Sequence, residues 1–314
     1  MHRRRFLTVT GSALLVAACA PTRTPVPDGT AASGPSVPDE QRRAGATTEP
    51  PAATRAPRTE ERPPEPVPET EEAPETEEPA PQPAADPDAP PAEPTEWGLR
   101  VTGVRTRLAT DEPVVALTFD ACGGPGGSGY DAALLDGLLA AGVPATLFVN
   151  ARWARANPGL LRRLAAEPRF ELANHGTEHR PLSVTGRSAY GIAGTASREE
   201  VLAEVNGCQE LLTQVTGRPP RHVRSGTAHY DEVAVALVQD LGLEVVNFDV
   251  LGDAGATSTA AEVTRALLTA RGGSIVLLHM NQPGSGTARG VLDAIPQLRD
   301  RGLSFTTLGD RALA

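Results

Sequence analysis

The chain has 314 residues, a formal net charge of −10 at pH 7, 30 prolines and three cysteines; by composition it divides into a short basic apolar leader, a long Pro-rich stretch and about 218 residues able to build a core. No lysine occurs anywhere, which excludes a Walker lysine, a Schiff-base lysine and pyridoxal chemistry, and no GxSxG marks a serine esterase of the α/β-hydrolase type. Residues 20–96 hold 17 acidic and 6 basic side chains against 22 and 20 in residues 97–314, so the foldable part is nearly neutral and gives no electrostatic reason to bind nucleic acid.

Residues 1–18 read as an export signal: MHRRRFL is followed by VTGSALLVAA, an apolar run well short of the roughly 20 residues that a membrane span requires. Val16, Ala17, Ala18 and Cys19 resemble a bacterial lipobox, which implies diacylation of Cys19 as the new N-terminus. An ordinary signal cut near Ala18 is the alternative, and Arg3, Arg4, Phe6 and Leu7 also fit a twin-arginine pattern. Residues 19–96 read as a disordered tether, since 20 of the 30 prolines fall in 20–96 and so few large apolar side chains cannot offset the entropy of ordering. Extended at ~3.1 Å per residue, it would reach on the order of 200 Å. The expected location is therefore the outer face of the cytoplasmic membrane, with the lipid anchor as the only membrane contact and the domain facing the cell wall.

From residue 97 onward, apolar runs rich in β-branched residues predict strands at 114–119, 144–149, 170–174, 221–225, 244–249, 274–279 and 304–308. Helix-period stretches lie between them at about 131–141, 155–166, 198–216, 230–241, 259–271 and 287–301, several closed by a glycine such as Gly142, Gly217 or Gly302. Strict alternation implies parallel strands with right-handed crossovers, and seven units in this length fit an incomplete α/β barrel better than an open doubly wound sheet.

Reactive side chains recur at the C-terminal ends of different strands: Asp120, His175 with His179, Arg224, Asp249 with Asp253, and His279. That rim is where α/β barrels build active sites. Two imidazoles at i and i+4 with a distant Asp point to a metal-assisted hydrolase.

LTFDA, HGTEH, the segments around Arg224 and around Asp249 and Asp253, and IVLLHM together resemble the polysaccharide deacetylase family, carbohydrate esterase family 4, over nearly all of 113–308. The resemblance implies a distorted seven-stranded parallel α/β barrel that removes acetyl groups from N-acetylated glycans, such as peptidoglycan or a surface polysaccharide, with a divalent metal, zinc above all. It places His175 and His179 on the metal, Asp120 as general base and metal ligand, and His279 as the acid that protonates the leaving amine. Arg224 would keep Asp120 ionised, and Asp249 or Asp253 would raise the pKa of His279.

One departure stands out. The family pairs two Asp after Thr-Phe, the second a metal ligand, whereas here Ala121 follows Asp120. Asp120 itself, Cys122, His229 or Asp231 is left to complete the metal's ligands, although Cys122 alone reads first as a small buried apolar side chain. A Cys122–Cys208 disulfide is disfavoured, because one residue follows a strand and the other sits in a helical stretch. The segment RSGTAHYD also differs from the family's third motif. A glycan-binding module that kept the cleft and lost the chemistry, and an O-acetyl esterase, are the rival readings. Tyr190, in the Gly-rich run SVTGRSAYGIAGT, reads as a cleft-shaping residue or a plain connector, and His222 as structural.

Overall fold

A computed structural model describes residues 93–314; the leader, Cys19 and the Pro-rich stretch lie outside the described residues. Eight strands and seven helices follow in order: β1 (Val114–Ala121), α1 (Ala132–Ala140), β2 (Ala145–Val149), α2 (Ala151–Ala156), α3 (Pro158–Ala165), β3 (Phe170–Asn174), α4 (Arg198–Thr216), β4 (His222–Val223), α5 (Glu232–Asp240), β5 (Glu244–Val245), β6 (Val250–Leu251), α6 (Ala260–Leu267), β7 (Ile275–His279), α7 (Thr287–Asp300) and β8 (Ser304–Thr306). No described helix is long and apolar enough to cross a membrane.

All strand pairs are parallel, in the order β5-β4-β3-β2-β1-β7-β6. β8 pairs with the first residues of β1, Val114–Ala116. The seven runs read from sequence account for these eight strands, because the run at 244–249 is bent. Its start, β5, bonds to β4 and its continuation, β6, bonds to β7, with Asp249 N donating to Ile275 O between them. This bent segment bridges the two ends of the sheet, and the result is a distorted seven-stranded α/β barrel.

Side-chain parity along the strands sets up the site. Val115, Leu117, Phe119 and Ala121 of β1 pack with Leu134, Leu138, Val291 and Ile295 of the covering helices. Val114 and Ala116 join Phe148, Ala173, Val246 and Ile275 in a separate cluster on the opposite face. With a period of two, Thr118 and Asp120 continue that second face toward the C-terminal end. In β7, His279 follows Ile275 and Leu277 by the same rule, and the register sets it directly beside Asp120.

The helices start where capping side chains allow. Asp131, Ser197 and Thr259 each accept a backbone N–H from the first turn of α1, α4 and α6, and Gly217 closes α4 at a φ of 75°. The helical stretch at 155–166 divides into α2 and α3, because Pro158 cannot donate to a continuing ladder and instead takes a first-turn position of α3.

Candidate active site

Asp120 is 3% exposed at the end of β1. Arg224, fully buried just after β4, donates from Nη1 to Asp120 Oδ1 at 2.8 Å and to Thr118 Oγ1 at 2.9 Å. Its Nε and Nη2 donate to the carbonyls of Val246 and Asn247 in the bent segment, and its guanidinium lies 4.1 Å from the centre of the Phe148 ring. A buried cation satisfied on every side is a fixed positive charge. Burial pushes the Asp120 pKa up, but His175, Arg224 and His279 together hold it below its ordinary value.

His175 follows β3 directly. Its Nδ1 lies 3.0 Å from Arg224 O, which leaves Nε2 facing Asp120 Oδ2 at 3.6 Å and Cys122 Sγ at 3.8 Å. Burial pushes its pKa down, while Asp120 and Cys122 bring it above the ordinary imidazole value. The HGTEH segment is a loop, so its two imidazoles are brought together by a turn and not by a helical face: His179 has φ of 64°, and the two rings meet edge to face with centroids 5.0 Å apart. His179 Nε2 is buried without a hydrogen-bond partner.

Three residues outside the sequence-derived set hold this loop. Glu204 of α4 accepts the backbone N–H groups of Glu178 and Arg180. Asn150 Nδ2 donates to the carbonyls of His175 and Gly176. Gly226 lies so close that a Cβ there would stand 2.4 Å from His179 Cα. Nothing in the sequence distinguishes Glu204 from the other acidic residues of its helix, and the other two reveal themselves only through contacts distant in the chain.

His279 is gripped by Asp253, whose Oδ1 lies 2.9 Å from His279 Nδ1 while Oδ2 accepts the His279 backbone N–H and the Thr287 hydroxyl. Burial pushes the His279 pKa down, but the bond to Asp253 and the proximity of Cys122 lift it well above the ordinary value. Asp249, expected as an alternative partner, is elsewhere. It pairs with Arg107 and accepts from Ser274 Oγ and Ile275 N, at the start of β7 and four residues before His279. The bend at 246–249 puts it there.

The remaining candidates divide equally clearly. The ligand atoms of Cys122, His175 and His179 all lie within 4.8 Å of one another. Asp120, expected as a ligand as well as a base, is not in that group; Arg224 holds one of its oxygens. His229 and Asp231 are also otherwise engaged. His229 Nδ1 meets Thr227 O and its ring packs between Trp97 and Tyr190, while Asp231 caps α5 through Ala234 N and binds Val184 N. His222 Nδ1 lies 2.7 Å from Glu171, a structural pair away from the cleft. Cys122 and Cys208 are both free thiols.

Asp120, Cys122, His179 and His279 open into one cleft of about 460 Å³, which Tyr190 and Leu251 also line. Tyr190 is 77% and Leu251 51% exposed, so an apolar rim surrounds a buried polar floor. Such a site has a fixed carboxylate, a carboxylate-backed histidine and His179 lining one pocket, with His175 buried directly behind His179 and Asp120, the set needed for base, metal and acid in hydrolysis.

Residues 107–246 match the family described as polysaccharide deacetylase. A chitooligosaccharide deacetylase of Sinorhizobium fredii is 30% identical over 214 residues, covering 64% of this chain and 93% of the relative. A peptidoglycan-N-acetylglucosamine deacetylase of Listeria monocytogenes is 27% identical over 197 residues, which is 62% of this chain but 38% of that longer protein. Among solved structures, a family 4 acetyl xylan esterase from Clostridium thermocellum, in complex with a cobalt ion, superposes with a TM-score of 0.51 at 25% identity, over 63% of this chain and 89% of its own. On fold, motifs and this extent of likeness, the chain belongs to the polysaccharide deacetylase family.

Proposed function

We propose that this member of the family is a metal-dependent hydrolase that removes acetyl groups from N-acetylated glycans of the cell wall or a surface polysaccharide. The observation that carries the reading is the convergence of the Asp120–Arg224 pair, His175 with His179, and the Asp253-backed His279 on one cleft. The relatives named for chitooligosaccharide and for peptidoglycan N-acetylglucosamine support the substrate class.

A divalent metal, zinc by preference, held by His175 and His179 would supply Lewis-acid polarisation of the acetamide carbonyl and lower the pKa of a water. The buried, unpartnered Nε2 of His179 fits such an ion. Asp120, kept ionised by Arg224, takes the proton from the attacking water as its oxygen bonds to the carbonyl carbon. His279, kept protonated by Asp253, gives a proton to the departing nitrogen as the C–N bond breaks, leaving acetate and a free amine. Tyr190 and Leu251 offer apolar faces to the sugar ring. Export on a lipidated Cys19 and a long tether would bring this cleft to the wall.

The experiment is acetate release from N-acetylglucosamine oligomers and from an O-acetylated glycan, by the metal-loaded full chain and by His279→Gln. Release from the N-acetyl substrate, lost on chelation and reduced on the order of 10²–10⁴-fold in the variant, supports the proposal. Turnover of the ester alone would make the chain an O-acetyl esterase, as the likeness to an acetyl xylan esterase would suggest. Glycan binding without turnover would leave a binding module, a reading that the missing second Asp favours.

A further inference from the structure

Two neutral imidazoles alone would hold a divalent metal weakly, and the position where the family carries an anionic ligand holds Ala121. Ala121 is completely buried and packs into the layer of the covering helices. Parity along β1 turns it away from the cleft, and the next residue, Cys122, turns back toward it. We propose that Cys122 is the third ligand of the metal site, its thiolate replacing the missing carboxylate, so that a Cys-His-His set holds the ion; this rests on the metal-hydrolase reading above.

Four observations support this assignment. The Cys122, His175 and His179 ligand atoms are mutually within 4.8 Å, without Asp120, His229 or Asp231 in the group. Cys122 Sγ stands 3.8 Å from His175 Nε2, where zinc bonds of about 2.3 Å to sulfur and 2.0 Å to nitrogen at tetrahedral angles require roughly 3.5 Å. His175 Nδ1 is engaged by Arg224 O, the outer contact that presents the other ring nitrogen to a metal. His179 Nε2 is buried and unpartnered, on a residue kept at positive φ against Gly226.

The other described cysteine offers no competing use for this sulfur. Cys208 Sγ points to Val149 O at 3.1 Å. Chemically, one thiolate and two neutral imidazoles leave a divalent ion with a single net positive charge and, in a tetrahedral site, one open position for water or the acetamide oxygen. A soft sulfur ligand also selects zinc or cobalt over magnesium or manganese, a preference that an Asp-His-His set would not impose to the same degree.

The test is cobalt(II) reconstitution of the metal-free full chain, as wild type, Cys122→Ser and Cys122→Asp, read by metal stoichiometry and by the near-ultraviolet sulfur-to-cobalt charge-transfer absorption. The wild type is expected to bind one equivalent with the band. Cys122→Ser should lose the band and weaken binding by more than the roughly 10–100-fold that loss of an outer contact costs. Cys122→Asp, which restores a carboxylate, should recover stoichiometric cobalt without the band and also shows that a folded site survives the substitution. One equivalent bound by the wild type with no band, or a band unchanged in Cys122→Ser, overturns the thiolate assignment while leaving the metal reading in place. No specific metal in the wild type overturns both.

Discussion

At the scale of single residues, one hydrogen bond sets the proposed base apart from the candidate metal ligands. Arg224 takes Oδ1 of Asp120, Oδ2 faces His175 Nε2 at 3.6 Å, and the carboxylate lies outside the compact group of ligand atoms of Cys122, His175 and His179. Asp120→Asn is therefore expected to lower kcat on the order of 10²–10⁴-fold while metal stoichiometry stays at one, measured by elemental analysis beside the acetate assay; metal lost along with activity would make Asp120 a ligand after all. The reactive residues at strand ends were legible because period-two parity and the barrel rim both point to them. Asp249 and Asp253 were not separable in the sequence, since both follow the same apolar run and only the bend at 246–249 decides which of them reaches His279. Cys122 was legible as one of four residues able to complete a ligand set but not as the one that does, because no local pattern tells which of them meets the two imidazoles that arrive from residues 175 and 179.

At the scale of elements, the loop that carries His175 and His179 is shaped by α4. The Glu204 carboxylate gathers the N–H groups of Glu178 and Arg180, and its own backbone carbonyl accepts from Thr177 N. Burial keeps the Glu204 pKa above the ordinary value even against the opposing loop N–H donors, so its charge is costly and its place is justified by the loop it orders. Glu204→Gln turns an NH₂ group toward donors that need an acceptor. Metal affinity is expected to fall on the order of 10–100-fold with the circular dichroism of the helices unchanged, and an unaltered affinity in a competition titration would show that the loop holds itself. Helix positions were read well from periodicity and glycine stops, and α4 matches its predicted span to the residue. The two failures have one cause. A proline at 158 and a backbone bend at 246–249 interrupt runs whose apolar pattern continues through them, and pattern alone cannot register a change of direction.

At the scale of the whole barrel, the end opposite the cleft is tied by a single carboxylate. Glu171 of β3 meets His222 Nδ1 of β4 at 2.7 Å, accepts from Thr146 Oγ1 of β2 at 2.8 Å, and accepts from Gly309 N beyond β8 at 2.9 Å. Thr146 Oγ1 in turn accepts from Leu308 N, so four segments distant in sequence are joined just beyond the end of β8. Burial pushes the Glu171 pKa up, but the bond and charge of His222, with the Gly309 and Thr146 donors, bring it below 4.5. A folded-state pKa below the unfolded one contributes stability above the unfolded value, and that contribution is lost as pH falls through the folded value. The denaturant midpoint of the wild type should therefore exceed that of Glu171→Gln at neutral pH, and the gap should narrow as the solution is acidified below 4.5, the ordinary glutamate value. A gap constant across that window would mean that Glu171 stabilises the barrel through its shape and neutral hydrogen bonds. Because this network sits toward the starts of β2 and β3 and none of its residues lines the cleft, the same variant should leave metal stoichiometry and kcat at neutral pH near those of the wild type, which separates acid loss of the fold from acid loss of the site.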